Sequence, residues 1–230
     1  MNKDICRKET LLIIPARGGS KGIYRKNLQH IGGIPLIAYS ILIARKAKNI
    51  SRVIVSTEDE EIADISKYYG AEVPFLRPKD LAVDNSNIKD AIDHVLMKLK
   101  TKEGYIPDII AEMYPTHPFR KSQLIDHLIS KLDAGYQSVI TVRSISLQHP
   151  IRCILSSDGK VQLLKTRNDE LLKMAVRPYA FFYARSTKHS PLGVYLYHLS
   201  DSEQFVDIDE PEDLALARNF VRHGYYSLEK

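Results

Sequence analysis

The 230-residue chain has only two cysteines, Cys6 and Cys153. That is too few for a disulfide framework and suits a reduced, cytoplasmic protein. Long apolar runs are missing: the longest, such as Leu11–Pro15, are about five residues, against the roughly 20 that span a bilayer. The opening Met1–Glu9 is polar and charged rather than a secretory leader. No internal repeat or low-complexity stretch is visible. Apolar residues make up 44% and charged residues 27% of the chain, which excludes disordered and collagen-like classes. Acid is scarce at one end. Residues 1–52 hold 11 Lys/Arg and 2 Asp/Glu, a local +9, whereas the remainder holds 22 against 26. A basic quarter on a mildly acidic body predicts an anionic partner. Composition alone leaves nucleic acid, a membrane surface and a phosphorylated small molecule open.

The length suffices for one well-buried α/β domain. Leu11–Pro15 reads as a buried strand, and residues 16–34, with five glycines, as a loop. Pro35 opens a helix to about Lys48 whose apolar residues run nearly all round. Strands are predicted at Arg52–Ser56, Glu72–Leu76, Asp108–Met113, Gln137–Val142, Val194–Tyr197 and Gln204–Val206. Helical spacing is predicted over Glu58–Tyr69, around Ile88–Leu99, around Leu124–Leu132 and over Pro211–Arg222. Strands alternating with helices imply a three-layer α/β fold with a mainly parallel sheet. The alternation lapses over about 144–190, read as a β-rich insertion within a single domain spanning 1–230.

Two segments carry chemistry. The first is Pro15-Ala-Arg-Gly-Gly-Ser-Lys-Gly-Ile-Tyr-Arg-Lys-Asn27, with four cations, three glycines and no acid. It leaves a strand at its carboxyl end, where open α/β sheets bind ligands. Its glycines would let backbone N–H groups approach phosphate oxygens, and Arg17, Lys21, Arg25 and Lys26 would neutralise them. It is neither of the common phosphate-loop motifs. The second is Phe205-Val-Asp-Ile-Asp-Glu-Pro211. In extended chain, Asp207 and Asp209 share a face, and paired carboxylates suit Mg²⁺ beside substrate phosphates. The competing role for Asp209 is to cap the last helix. Arg143, Arg167, Lys173 and Arg177 are candidates for a substrate carboxylate, with a solvated basic face as the alternative.

In order along the chain, Ile13-Ile-Pro-Ala-Arg-Gly-Gly-Ser-Lys-Gly-Ile…Arg-Lys-Asn-Leu28, Gly33-Ile-Pro-Leu-Ile37, Val55-Ser-Thr-Glu58, Arg77-Pro…Leu81-Ala-Val-Asp84, Pro115-Thr-His-Pro-Phe-Arg120 and Asp207-Ile-Asp209 resemble motifs of the CMP-acylneuraminate (CMP-sialic acid) synthetases. That family activates sialic, legionaminic and pseudaminic acids and is related to the CMP-Kdo synthetases. The resemblance implies a Rossmann-like nucleotidyltransferase and a homodimer in which the insertion reaches the partner's sugar site. It also implies a reaction of CTP with a 2-keto-3-deoxy sugar acid, with no nucleic-acid or membrane partner. Carried across, Arg17, Lys21 and Lys26 would meet triphosphate, with Ala16, Gly18, Gly19, Ser20 and Asn27 also at the nucleotide. Arg77 and Asp84 would shape the base and ribose pocket. Asp207 and Asp209 would hold Mg²⁺, with Mn²⁺ as substitute, making Arg17, Lys21, Lys26 and Asp209 the catalytic set. Tyr114, Thr116, His117, Arg120, Arg143 and Arg177 would face the sugar. Tyr114 stands there for the family's Gln and His117 for Ser, while Glu58 stands for Asp at the end of the S-T-D strand, so the triphosphate end looks intact and the sugar end altered. A guanylyl- or uridylyltransferase, a CMP-Kdo type enzyme and a non-catalytic nucleotide-binding protein remain the alternatives.

Overall fold

The computed structural model describes residues 8–83, 86–144, 153–155, 161–163 and 176–228. Its centre is a six-stranded mixed sheet. β1 (Thr10–Pro15) lies between β4 (Arg52–Ser56) and β5 (Ile109–Glu112), parallel to both. β6 (Tyr136–Ser144) pairs in parallel with the edge strand β10 (Leu192–His198). Between β5 and β6 runs β9 (Val176–Ser186), antiparallel to each. The order is β10-β6-β9-β5-β1-β4, so three of the five pairings are parallel, as the alternation predicts.

Alternation along β1 divides the core. Leu12 and Ile14 point to one face, where α1 (Leu36–Lys46), α2 (Glu60–Tyr68) and α4 (Ser122–Asp133) supply Ile37, Ile41, Ile62, Ile125 and Leu128. Leu11 and Ile13 point to the other, against Ile92, Val95 and Leu99 of α3 (Ile88–Glu103). Helices on both faces make the three layers. The all-round apolar content of α1 is used: eight of its eleven residues are buried. A third cluster, with Tyr39, Phe119, Ile208 and Tyr226, seats α5 (Pro211–Arg222).

Several expectations need correction. Residues 16–34 hold more than loop: β2 (His30–Ile31) and β3 (Ile34–Pro35) form a hairpin. Gly32 and Gly33 both take positive φ at its tip, the backbone that a tight two-residue turn requires. Pro35 therefore ends a strand and precedes α1. Glu72–Leu76 makes a single bridge, Glu72 to Ile54, instead of a strand. Gln204–Val206 falls on a 3₁₀ turn, Ser202–Phe205. The proposed insertion shrinks from its C-terminal side, because Val176–Ser186 is a central strand. What is described before it is a hairpin of β7 (Cys153–Leu155) and β8 (Val161–Leu163). Among the described residues, no helix is long and apolar enough to cross a membrane.

Candidate active site

The carboxyl ends of β1 and β5 open into one cavity of roughly 280 Å³. Arg17, Lys26, Asn27, Arg77, Tyr114 and Thr116 are among its walls. This is where parallel strands leave a crevice and where such sheets bind ligands.

The basic loop is fixed from three sides. Ala16 N–H donates to Ser56 carbonyl at 2.9 Å, extending the β1–β4 pairing by one residue. Asn27 is buried and donates to Arg17 carbonyl at 2.9 Å, closing the loop on itself. Gly22 lies so close to Asp209 carbonyl that a Cβ there would collide with it. The loop thus rests on the acidic segment 183 residues later, and Lys26 Nζ meets Asp209 Oδ1 at 2.8 Å.

The acidic segment is built by alternation. Val206 and Ile208 are buried, which turns Asp207 and Asp209 outward together. Ile208 N–H donates to Thr116 carbonyl at 2.9 Å, pinning the segment to the turn after β5. The cap of α5 is Glu210, not Asp209; Asp213 accepts from the N–H groups of Asp209 and Glu210. Burial and the neighbouring Asp209 charge raise the Asp207 pKa, against a lowering hydrogen bond from Thr116. His117 is 1% exposed, and its Nδ1 lies 3.3 Å from Val206 carbonyl. A carbonyl only accepts, so geometry assigns the ring proton to Nδ1. Burial, then the Arg120 charge, pushes the His117 pKa down to about 3, so the ring is neutral. Its bare Nε2 faces Asp207 Oδ1 at 3.6 Å.

These residues fit a divalent cation in donor chemistry. Asp207 and Asp209 offer two outward carboxylates, the hard oxygen donors that such a cation takes. No cluster of three or more His, Cys, Asp or Glu is spaced as a full ligand set among the described residues. Hard cations such as Mg²⁺ complete their shell with water and phosphate.

The remaining predicted residues divide. Arg77 is 5% exposed; its Nη2 donates to Glu58 Oε2 at 2.9 Å, and Glu58 Oε1 accepts Gly18 N–H at 2.7 Å. Glu58, which sequence reasoning marked only as a departure, therefore ties the glycine loop to the cavity wall. Gly18 and Gly19 line a separate groove with Arg25, Glu58 and Asp59, not the main cavity. The Arg25 charge is taken by Asp59 at 2.8 Å and Glu61 at 2.9 Å. Ser20 is half-buried and Lys21 exposed on the loop.

Arg120 corrects an expectation. It is 1% exposed, and its five N–H donors go to Phe181 carbonyl twice, Tyr114 and His117 carbonyls, and Ser40 Oγ. Nothing is left for a sugar. Arg143 and Arg177 stand opposite each other on β6 and β9, with Arg143 4.9 Å from the Tyr179 ring centroid. Asp84, Arg167 and Lys173 lie outside the described residues. Tyr114 donates to Glu112 Oε2 at 2.9 Å. Glu112 was missed; the sequence signal was an acid ending the apolar strand Ile109-Ile-Ala.

A family model described as cytidylyltransferase matches residues 11–228. The chain belongs to the cytidylyltransferase family. This cytidylyltransferase is 32% identical to the CMP-N,N′-diacetyllegionaminic acid synthase of Legionella pneumophila, over 92% of the chain and 95% of that protein. It is 30% identical to a pseudaminic acid cytidylyltransferase of Campylobacter jejuni, over 95% and 99%. Its fold matches a CMP:2-keto-3-deoxy-manno-octonic acid synthetase solved with CTP, at a TM-score of 0.74 and 15% identity, covering 94% and 99%.

Proposed function

We propose that this cytidylyltransferase transfers CMP from CTP to a sialic-acid-like 2-keto-3-deoxy sugar acid and releases pyrophosphate. The observation that carries the reading is the Lys26–Asp209 contact at 2.8 Å. It joins the basic loop to the acidic segment at the mouth of one cavity, in a chain related over nearly its full length to enzymes of that name. The anomeric hydroxyl of the sugar acid loses its proton and its oxygen bonds to the α-phosphorus. The bond from the α-phosphorus to the bridging oxygen breaks, and pyrophosphate leaves. The barrier is lowered chiefly by placing cations where charge builds. Arg17 and Lys26 stand on the cavity wall and Lys21 on the loop beside it, so all three can meet the triphosphate. Arg77, held by Glu58, and Asn27 support the nucleotide. Thr116 and Tyr114 face the sugar from the cavity, and Arg143 and Arg177 from the Asp207 side. Asp207 and Asp209 would hold Mg²⁺, or Mn²⁺, which neutralises triphosphate charge and favours ionisation of the attacking hydroxyl when bound.

A pyrophosphate-release assay crossing the four nucleoside triphosphates with nonulosonic and octulosonic acids tests this. Release with CTP and a nonulosonic acid is expected. Release with a sugar phosphate but no sugar acid overturns the substrate class. No release in any well favours a nucleotide-binding protein. Lys26→Ala and Asp209→Asn should each lower turnover about 100-fold or more in a folded protein; turnover like the parent's overturns their roles.

We also propose a homodimer. Ile140, Val194 and Leu196 stay half-exposed on the face of β6 and β10 turned away from α4, and Leu192 is exposed at the edge. Sedimentation at tens of micromolar should give twice the chain mass; a monomer there overturns it.

A further inference from the structure

Behind Tyr114 lies a second cavity of roughly 520 Å³, between α3 and the strands β5 and β9. Glu112, Tyr183 and Arg185 form its sheet wall, and Ile88 and Ile92 its helix wall. Ile88 also lines the nucleotide cavity, and the Tyr114–Glu112 hydrogen bond runs between the two spaces. At the rim, Lys89 and Asp93 neutralise each other at 2.7 Å. Inside, two groups of opposite sign interact through space with no hydrogen bond or ion pair between them. Glu112 is 9% exposed, with one oxygen on Tyr114. Arg185 is half-buried on β9 and has no hydrogen-bond or ion-pair partner among the described residues.

The chemistry of the substrate class decides which end enters. In a 2-keto acid the carboxylate adjoins the anomeric carbon, so it stays beside the α-phosphate, toward Asp207, Arg143 and Arg177. The second cavity is left for the far end of the sugar. A carboxylate that accepts and a guanidinium that donates, flanked by isoleucines, match the N–H, C=O and methyl of an acylamino group. We propose that this cavity is an acylamino pocket and that Glu112 and Arg185 are its specificity-determining pair. The inference rests on the sugar-acid reading above. A site built to pair amide groups discriminates strongly against a substrate that lacks them.

The test compares kcat/KM for N,N′-diacetyllegionaminate and pseudaminate with that for 2-keto-3-deoxy-manno-octonate, which has no nitrogen. The parent, Glu112→Gln and Arg185→Gln are measured alike, with CTP affinity by calorimetry and circular dichroism alongside. The parent should prefer one of the acylated acids by about 100-fold or more. Each variant should lose at least tenfold of that preference through KM for the acylated acid, with CTP affinity and octonate turnover unchanged. Arg185→Lys should restore part of it. Variants with the parent's preference, or a parent without any, overturn the pocket and leave the cytidylyltransfer reading standing. No pyrophosphate from the parent with any sugar acid overturns that reading, and the pocket with it.

Discussion

Arg120 shows how far a charged residue can be drawn into a fold. Its donors hold the turn after β5 against β9 and α1, through two carbonyls of the Tyr114–His117 turn, that of Phe181, and Ser40. Tyr226 Oη donates to the Arg120 carbonyl at 2.7 Å, adding the C-terminal segment. Arg120→Met would leave several buried carbonyls without donors. It should cost on the order of 3–5 kcal/mol, read by urea unfolding. A cost below about 1 kcal/mol would count against this structural role. Glu112 makes a different prediction at the same scale. Burial raises its pKa above the ordinary carboxylate value, more than the Tyr114 hydrogen bond lowers it. The native state therefore holds this proton more tightly than the unfolded chain, and stability falls as pH rises from the unfolded value through the raised native one. Glu112→Gln keeps an acceptor for Tyr114 and removes the titration. It should gain stability relative to the parent as pH climbs from 4 to 7, and equal denaturation midpoints across that range would contradict the burial argument.

Among the elements, α2 and the glycine loop depend on each other. Asp59 caps α2 by accepting Ile62 N–H at 2.9 Å and also pairs with Arg25 at 2.8 Å. Asp59→Ala should cost about 1 kcal/mol for the cap alone, and it leaves the loop's Arg25 held by Glu61 alone. A raised KM for CTP should accompany the lower melting temperature. Gly22→Ala acts on the opposite flank. Its methyl would meet Asp209 carbonyl, a backbone atom that cannot swing away. Turnover should fall at least tenfold with the fold kept by circular dichroism, and an unaltered rate would show that the loop and the acidic segment can separate. The helices were legible because their apolar spacing is local. Glu72–Leu76 was not, because its β-type residues have a neighbour to pair with only at Glu72.

At the scale of the molecule, part of the uneven charge is neutralised at home. Arg25 goes to Asp59 and Glu61, and Arg52 to Glu72 and Glu103. Motif order was enough to place Arg17, Lys26, Asn27, Arg77, Tyr114 and Thr116 on one cavity. The inward turn of Arg120 and the pairing of Glu58 with Gly18 were not readable, since both depend on contacts between distant segments. Nor was the place of β9, because strand order is set by long-range pairing that no local pattern encodes. That place has a temporal consequence. β5 and β6 meet only through β9, so a ribosome that has made residues 1–144 has produced the three strands β4, β1 and β5 and a β6 that still lacks both neighbours, β9 and β10. Until about residue 186 emerges, the edges of β5 and β6 that β9 will cover are open to other nascent chains. Assembly should therefore be late and all at once. Pulsed hydrogen exchange during refolding should protect β5, β6 and β9 in a single phase.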